Sequence, residues 1–506
     1  MDRRRFLQTA SASCVVGATA PGASRLVAGS VAPRTEKRSI RKPLTAYTAD
    51  DHRRRLENIA ICERGIATCL RKHLITSYLP GQAYYNLGEY PSRKPWQPSE
   101  YDDAELDRLR DHGIELIQVW LDWCDELRLF GGDKFNAPNP DTFRQFIDKV
   151  HTRGMKIIPY TSAGYFERRD PELRPEWSRN EKQDLRELCW DWARCSYASP
   201  GWRAYLLPRL ARMMDEYGVD GLYNDMGYGQ GVAANKMPPT KDEVLAFEET
   251  EDEDGYLTDM LGLIYDMVKR RGGIVKLHRS GTQCPKTSLK VYDYLWVGEG
   301  GRNGDRLREA VKDHPPYVVP CLDMSKASIE NEDELYLHAI PYMQFPFLSA
   351  GRPFTGERAA IPGITYTLGR KDHWSQHYLA IHEHYKAHPD GPYSYSQWDS
   401  AVPRPAARPA HERWLKQYLP MVEESTWAWL ELGESSLFAA PLPNNVVASA
   451  FANRELYVAL ANYGVNPVEV ATTDDYVPID KPTEPGTRIW RLDGRSLRIL
   501  RRESIS

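Results

Sequence analysis

Val219-Asp220-Gly221-Leu222-Tyr223-Asn224-Asp225-Met226-Gly227 follows a helical pattern that runs over 202–217 and stops at Gly218. Helix, tight turn, short buried run, then a carboxylate and a glycine make one unit of a β/α barrel. Alternation along the strand puts Val219, Gly221, Tyr223 and Asp225 on one face. Gly221 is expected to leave room inside the barrel, and Asp225 to stand at its mouth. An Asp at that end of a barrel strand is placed for chemistry. The alternative is that Asp225 merely caps the loop that follows.

The same unit recurs on both sides. A first strand is predicted near Tyr84-Tyr85-Asn86-Leu87, with a helix over 102–112 that ends at Gly113. A second strand over 114–122 turns Gln118, Trp120 and Asp122 inward. A helix over 140–153 and a third strand over 155–161 follow, then a long loop to 199 that should wall a cleft. Beyond the Asp225 strand come an amphipathic helix over 256–271 and strands over 274–278 and 291–297. The latter ends at Gly298-Glu299-Gly300-Gly301. A seventh strand over 317–322 ends at Asp323, an eighth lies over 345–349, and a helix over 373–388 follows. Some eight strand–helix repeats with glycine stops predict a (β/α)8 (TIM) barrel over 80–431. Residues 432–506 read as short alternating runs, a C-terminal all-β sandwich. Residues 31–79 hold a polar linker and a helix over 50–66.

At 506 residues the chain has room for such a barrel and a smaller domain. A hydrophobic content of 41% with 27% charged suits a soluble core. The net charge of −4 offers no basic field to nucleic acid or an anionic membrane. The 14 Trp and 29 Tyr supply flat faces for sugar rings, and equally fillers for a core. No G-x-G-x-x-G follows a strand, which speaks against a nucleotide-binding enzyme. The histidines at 373, 377, 382, 384 and 388 lack the acid of a His-Glu-x-x-His zinc site, so neither metal nor other cofactor is expected. Eight cysteines include Cys14 near the start. Of the other seven, Cys62 with Cys69 and Cys189 with Cys195 are spaced to pair, and buried thiols are the alternative.

Residues 1–30 carry Arg3-Arg4-Arg5-Phe6-Leu7-Gln8 and then a weakly apolar Ala/Ser-rich stretch, too short and polar to span a membrane. This resembles the twin-arginine signal. The resemblance implies export of the folded protein by the Tat machinery to the bacterial periplasm or outside.

Acids expected at the barrel mouth are Asp122, Asp125, Asp225, Glu299 and Asp323. Glycoside hydrolysis needs two opposed carboxylates. One attacks the anomeric carbon or activates water, and the other protonates the leaving oxygen. Asp225 and Glu299, two strands apart, make the best pair. Asp122 with Trp120 and Trp123 would form a binding subsite. Tyr223, His278 and Trp296 would line the site, and Asp323 would hold ring hydroxyls. With these residues in place the sequence resembles the barrel glycosidases that include α-galactosidases and α-glucosidases. In that group a nucleophilic Asp follows the fourth strand, an acid/base carboxylate follows the sixth, and a β-sandwich lies behind. Asp225 and Glu299 match those positions, over roughly 80–506. The resemblance implies an oligo- or polysaccharide substrate and a retaining mechanism. Tyr223 stands where that group often has Lys, and Glu299 where it has Asp. A non-catalytic carbohydrate-binding barrel is the other function the sequence allows, and it has no need of two opposed carboxylates.

Overall fold

The Thr48 side chain accepts a hydrogen bond from the Asp51 amide while the Asp51 carboxylate accepts one from the Thr48 amide, and this capping box starts α1 (Ala49–Gly65). It is the first element of a computed structural model that describes residues 47–87, 97–119, Trp123, 135–137, 139–167, 170–177, 185–187, 190–225, 253–279, 290–298, Gly301, 303–314, 317–322, 331–351 and 407–503. The expected helix over 373–388 lies outside them.

In chain order there follow β1 (Cys69–Leu74), β2 (Gln82–Asn86), α2 (Glu100–Asp111), β3 (Leu116–Val119), α3 (Pro140–Thr152) and β4 (Lys156–Ser162). An insertion holds β5 (Tyr165–Glu167), β6 (Leu185–Glu187) and β7 (Trp190–Arg194). Then come α4 (Pro200–Tyr217), β8 (Gly221–Asp225), α5 (Glu253–Arg270), β9 (Ile274–Arg279), β10 (Tyr294–Val297), α6 (Gly304–Val311) and β11 (Val318–Pro320). The chain continues with α7 (Glu332–Ala339), β12 (Leu348–Gly351) and α8 (Arg408–Tyr418).

Local chemistry sets these boundaries. In α4, Ser199 accepts from the Trp202 amide, Pro200 takes the first turn where no donor is needed, and Gly218 closes the helix in the left-handed region at φ 70°. Asn139 and Pro140 start α3 in the same way. Three residues later in the first unit, Gly221 has φ 151°, and a Cβ there would lie 1.9 Å from the Ile274 carbonyl oxygen. Its missing side chain admits the backbone of the neighbouring strand. The expectation that it opens space inside the barrel is corrected accordingly.

β12, β2, β3, β4, β8, β9, β10 and β11 form one sheet in that order, every recorded pair parallel. With helices between the strands this is the expected (β/α)8 barrel. Its curl is visible in one bond, because Lys276 Nζ on β9 donates to Gln82 Oε1 on β2 at 3.0 Å, four strands away. The ladder rungs from Gln82 extrapolate to Gly272, four residues short of Lys276. The barrel therefore climbs one residue per strand, the shear of a closed eight-stranded barrel.

The tail adds β13 (Trp427–Leu432), β14 (Val446–Ala452), β15 (Leu456–Asn462), β16 (Val468–Pro478), β17 (Thr487–Leu492) and β18 (Ser496–Arg502). They are antiparallel and hydrogen-bonded into one sheet, β1-β13-β14-β15-β18-β16-β17. β16 pairs with β17 on both sides of a register shift between Ala471 and Tyr476, and from Tyr476 onward it also pairs with β18. β1, from the segment read as linker and helix, supplies the edge beside β13. Its own core, with Trp429, Leu460 and Trp490, is separate from that of the barrel. Cys62 and Cys69 are free thiols, the second of the two alternatives the sequence left open for them. Cys189 lies outside the described residues. Among the described residues no helix is long and apolar enough to cross a membrane.

Candidate active site

Asp225 is the last residue of β8, at the C-terminal end of the barrel, and its side chain turns inward with that of Tyr223. The Tyr160 hydroxyl, from β4, donates to Asp225 Oδ2 at 2.8 Å. The other oxygen, Oδ1, lies 3.6 Å from His278 Nδ1, which the ladder sets directly beside it. The carboxylate is thus fixed on one side by a neutral donor and faces an imidazole on the other. It keeps a trace of solvent contact, 9%.

Aromatic rings make the floor beneath. His278 stacks on Trp296 at 4.6 Å and on Tyr223 at 5.9 Å. Tyr223 also meets Tyr160 and Trp296, and Trp296 meets Phe347 edge-on at 5.0 Å. Side chains from alternate strands fill a barrel in layers, and by the register Tyr223, Trp296 and Phe347, on β8, β10 and β12, share one layer, with Tyr160 and His278 in the next above. Below them Lys276 is fully buried, its ammonium 4.5 Å from the Phe347 ring centre. Burial pushes its pKa down to about 7, against a smaller opposite pull from Cys321.

The insertion after β4 brings Tyr165 close to Asp225. β5, β7 and β6 form a small antiparallel sheet. Phe166 and Trp177 pack on Trp202 and Tyr205 of α4, so they anchor the insertion. Tyr165 is buried close enough for the Asp225 charge to act on it. Burial first, and that charge among the rest, hold its hydroxyl protonated against the pull of Arg194.

Of the residues singled out from sequence, the structure brings together Asp225, Tyr223, His278 and Trp296. Trp123 does not join them. It is fully buried, its indole N–H donates to the Tyr160 carbonyl at 2.9 Å, and its ring stacks on Phe143 and meets Tyr217 edge-on. That is a core position between β4 and the helices α3 and α4, so its assignment to a sugar subsite is corrected. Trp120, Asp122, Asp125, Glu299 and Asp323 lie outside the described residues. The chain still sets Glu299 two residues beyond the end of β10, and β10 is two strands from β8. The sequence reading missed Tyr160, whose signal was present: an inward position near the end of a predicted strand, next to the Asp225 strand. It also missed Lys276, two residues before His278 on the same inward face.

With one anchored carboxylate, an imidazole and an aromatic floor, the site can hold a ring-shaped polar ligand and present it with an oxyanion. Among the described residues no group of three or more His, Cys, Asp or Glu side chains gathers to hold a metal.

No family model matches the chain, and no curated protein matches it. Solved structures do align with it. A maltogenic α-amylase from Thermotoga neapolitana is 11% identical, covering 83% of this chain and 98% of its own, with a TM-score of 0.46. An α-amylase from Geobacillus thermoleovorans is 10% identical, covering 85% and 99%, with a TM-score of 0.46. A trehalulose synthase from Pseudomonas mesoacidophila is 10% identical, covering 84% and 99%, with a TM-score of 0.47. Likeness at these identities and scores carries no argument about activity, and the function has to come from the site.

Proposed function

We propose that the chain is an exported glycoside hydrolase, with Asp225 as nucleophile and Glu299 as acid/base. The observation that carries this reading is the Asp225 carboxylate, held at the C-terminal mouth of the barrel by Tyr160 above a floor of stacked rings. In the proposed reaction an Asp225 oxygen attacks the anomeric carbon while Glu299 gives its proton to the departing glycosidic oxygen. Water then releases the sugar, with Glu299 taking the water proton back. Net retention follows from two inversions, and it asks for carboxyls roughly 5–5.5 Å apart. The likeness to the α-galactosidase and α-glucosidase group is the narrower form of the proposal, supported by the positions of Asp225 and Glu299 after the fourth and sixth barrel strands.

A panel of chromogenic glycosides tests it. Turnover on one of them is expected, and Asp225→Asn should lower it by several orders of magnitude with the fold intact. Azide added to Asp225→Gly should restore activity and yield a glycosyl azide of inverted configuration. Near-normal turnover by Asp225→Asn would remove Asp225 from the role, and no turnover across the panel would favour the non-catalytic sugar binder. Export rests on Arg3 and Arg4. Changing both to Lys should leave the precursor in the cytoplasm, and normal export of that variant would end the twin-arginine proposal.

A further inference from the structure

Two polar side chains inside the barrel are left unpaired among the described residues. Ser349 on β12 and Gln118 on β3 are both more than nine-tenths buried. Neither the Ser349 hydroxyl nor either amide atom of Gln118 has a hydrogen-bond partner among the described residues. Buried polar groups are nearly always satisfied, and an apolar residue of the same shape would fill either place at less cost. The barrel makes that choice elsewhere, with Phe347, Trp296 and Ile158 at interior positions. Two unmet groups aimed inward from the strands that flank β2 point to a ligand that meets them.

The register says where they stand. Ladder rungs carry Ser349 to Tyr84, Gln118 and Ile158. The barrel climbs one residue per strand, as the Lys276–Gln82 bond shows. Four strands separate β12 from β8, and the climb brings Ser349 level with Asp225 on the opposite wall. Gln118, two strands from β8, comes level with Tyr223, below the carboxylate. Ser349 thus faces Asp225 across the barrel, and Gln118, four strands from β10, faces Trp296 at the floor.

We propose that Ser349 and Gln118 are sugar-binding residues, which hold hydroxyls of the ring whose anomeric carbon meets Asp225, Ser349 from across the mouth and Gln118 from the floor. This rests on the glycosidase reading of the site. A hydroxyl both donates and accepts, and a primary amide supplies one acceptor and two donors, so the pair matches neighbouring hydroxyls of a polyol. Neither residue carries charge. The class of substrate they select is a neutral hexose unit, and they offer nothing to balance the carboxylate of a uronic acid or a phosphate ester. A site that hydrogen-bonds a hydroxyl also rejects the analogue that lacks it, because its own buried polar atoms are then left unpaired.

Binding to the full-length Asp225→Asn protein tests this without asking for turnover. The probes are the methyl glycosides of glucose, galactose and mannose, their single-deoxy analogues and the matching uronic acids, read by titration calorimetry. One neutral glycoside should bind, and its uronic acid should bind at least ten-fold more weakly. Ser349→Ala and Gln118→Met, made separately in that background, should each weaken it by about ten-fold, one well-made hydrogen bond. For each variant one deoxy analogue should bind as it does to the parent, since the lost bond was to the missing hydroxyl. Melting temperatures should hold or rise, which separates lost recognition from lost fold. Unchanged affinity in both variants would overturn the proposal, as would a loss that is the same for every deoxy analogue. Absence of binding by the parent across the set would overturn it too. If the variants behave as expected while the wild-type protein turns over no chromogenic glycoside, the two residues keep their role and hydrolysis is what fails.

Discussion

Tyr160 is the smallest feature on which the proposed chemistry depends. Its hydroxyl holds one oxygen of Asp225 at 2.8 Å and leaves the other towards His278. A nucleophile gains from being held, since the entropy of orientation is spent before reaction. Tyr160→Phe keeps the ring contact with Tyr223 and deletes only the donor. It should lower kcat about ten-fold with KM little changed, and a loss seen in KM alone would show that Tyr160 serves binding. How much of this was legible differs residue by residue. Asp225 could be read because strand, alternation and carboxylate fall in one short stretch. Tyr160 was harder to tie to it, because 65 residues of chain separate them and the pairing follows only once strand order and register are combined. Trp123 misled for the converse reason. An indole suits a sugar face and a core equally well, and its N–H found the Tyr160 carbonyl.

At the scale of elements, strand order and helix stops were readable because each unit repeats one local pattern of helix, glycine stop and strand. A second repeat emerges only in three dimensions. Asp220 stands just before β8 and accepts the Ile157 amide of the preceding barrel strand at 2.9 Å, with His151 at 2.7 Å. Asp293 stands just before β10 and accepts the Val275 amide at 2.9 Å, with Lys269 at 2.9 Å. Both lock the N-terminal end of the barrel, so Asp220 and Asp225 bracket one strand with opposite duties. Helix α8 carries a cost of the other kind. His411 is fully buried against Tyr336 and Phe345, and neither ring nitrogen has a hydrogen-bond partner among the described residues. Burial, helped by Arg408, pushes its pKa down to about 3. The native state therefore keeps it neutral while the unfolded chain takes a proton below about 6.5, so stability is lost as pH falls from there towards 3. His338 and His73, each pushed down to about 4 mainly by burial, act in the same direction. His411→Phe should raise stability by about 1 kcal/mol at pH 7. The margin over wild type should widen by roughly 2 kcal/mol at pH 5, measured by urea unfolding at both pH values. A margin that does not change with pH would mean that His411 is solvated.

Across the whole molecule, the barrel and the tail sheet are joined by a polar clasp. Arg495, in the left-handed region at φ 53° just before β18, reaches Glu334 of α7 and Asp305 of α6 and donates to the Tyr463 carbonyl at 3.0 Å. Ser449 Oγ donates to the Pro341 carbonyl at 2.6 Å, and the Tyr342 hydroxyl donates to Glu431 at 2.8 Å. Glu334 is only 3% exposed and has His338 Nε2 at 3.5 Å, so removing Arg495 takes a cation away from a buried charge. Arg495→Met should cost about 3–5 kcal/mol, and adding Glu334→Gln should recover a large part of it. Equal stability of the single variant and the wild type would show the clasp to be dispensable. The partners in the barrel were not visible in sequence, because the bonds to Glu334, Asp305, Pro341 and Tyr342 cross from one domain to the other. The edge strand β1 joins the domains by the chain itself, since Cys69 lies opposite Leu432 and Leu74 opposite Trp427. The barrel is thus threaded between two parts of a sheet that it does not belong to. Pairs so far apart in sequence carry a large entropy of loop closure and form late. A ribosome making this chain from its N-terminus therefore releases β1 long before β13 exists, and that strand must wait with its hydrogen-bonding edge open to other chains. Truncation before Trp427 would make the waiting permanent, turning a slow folding step into a seed for aggregation.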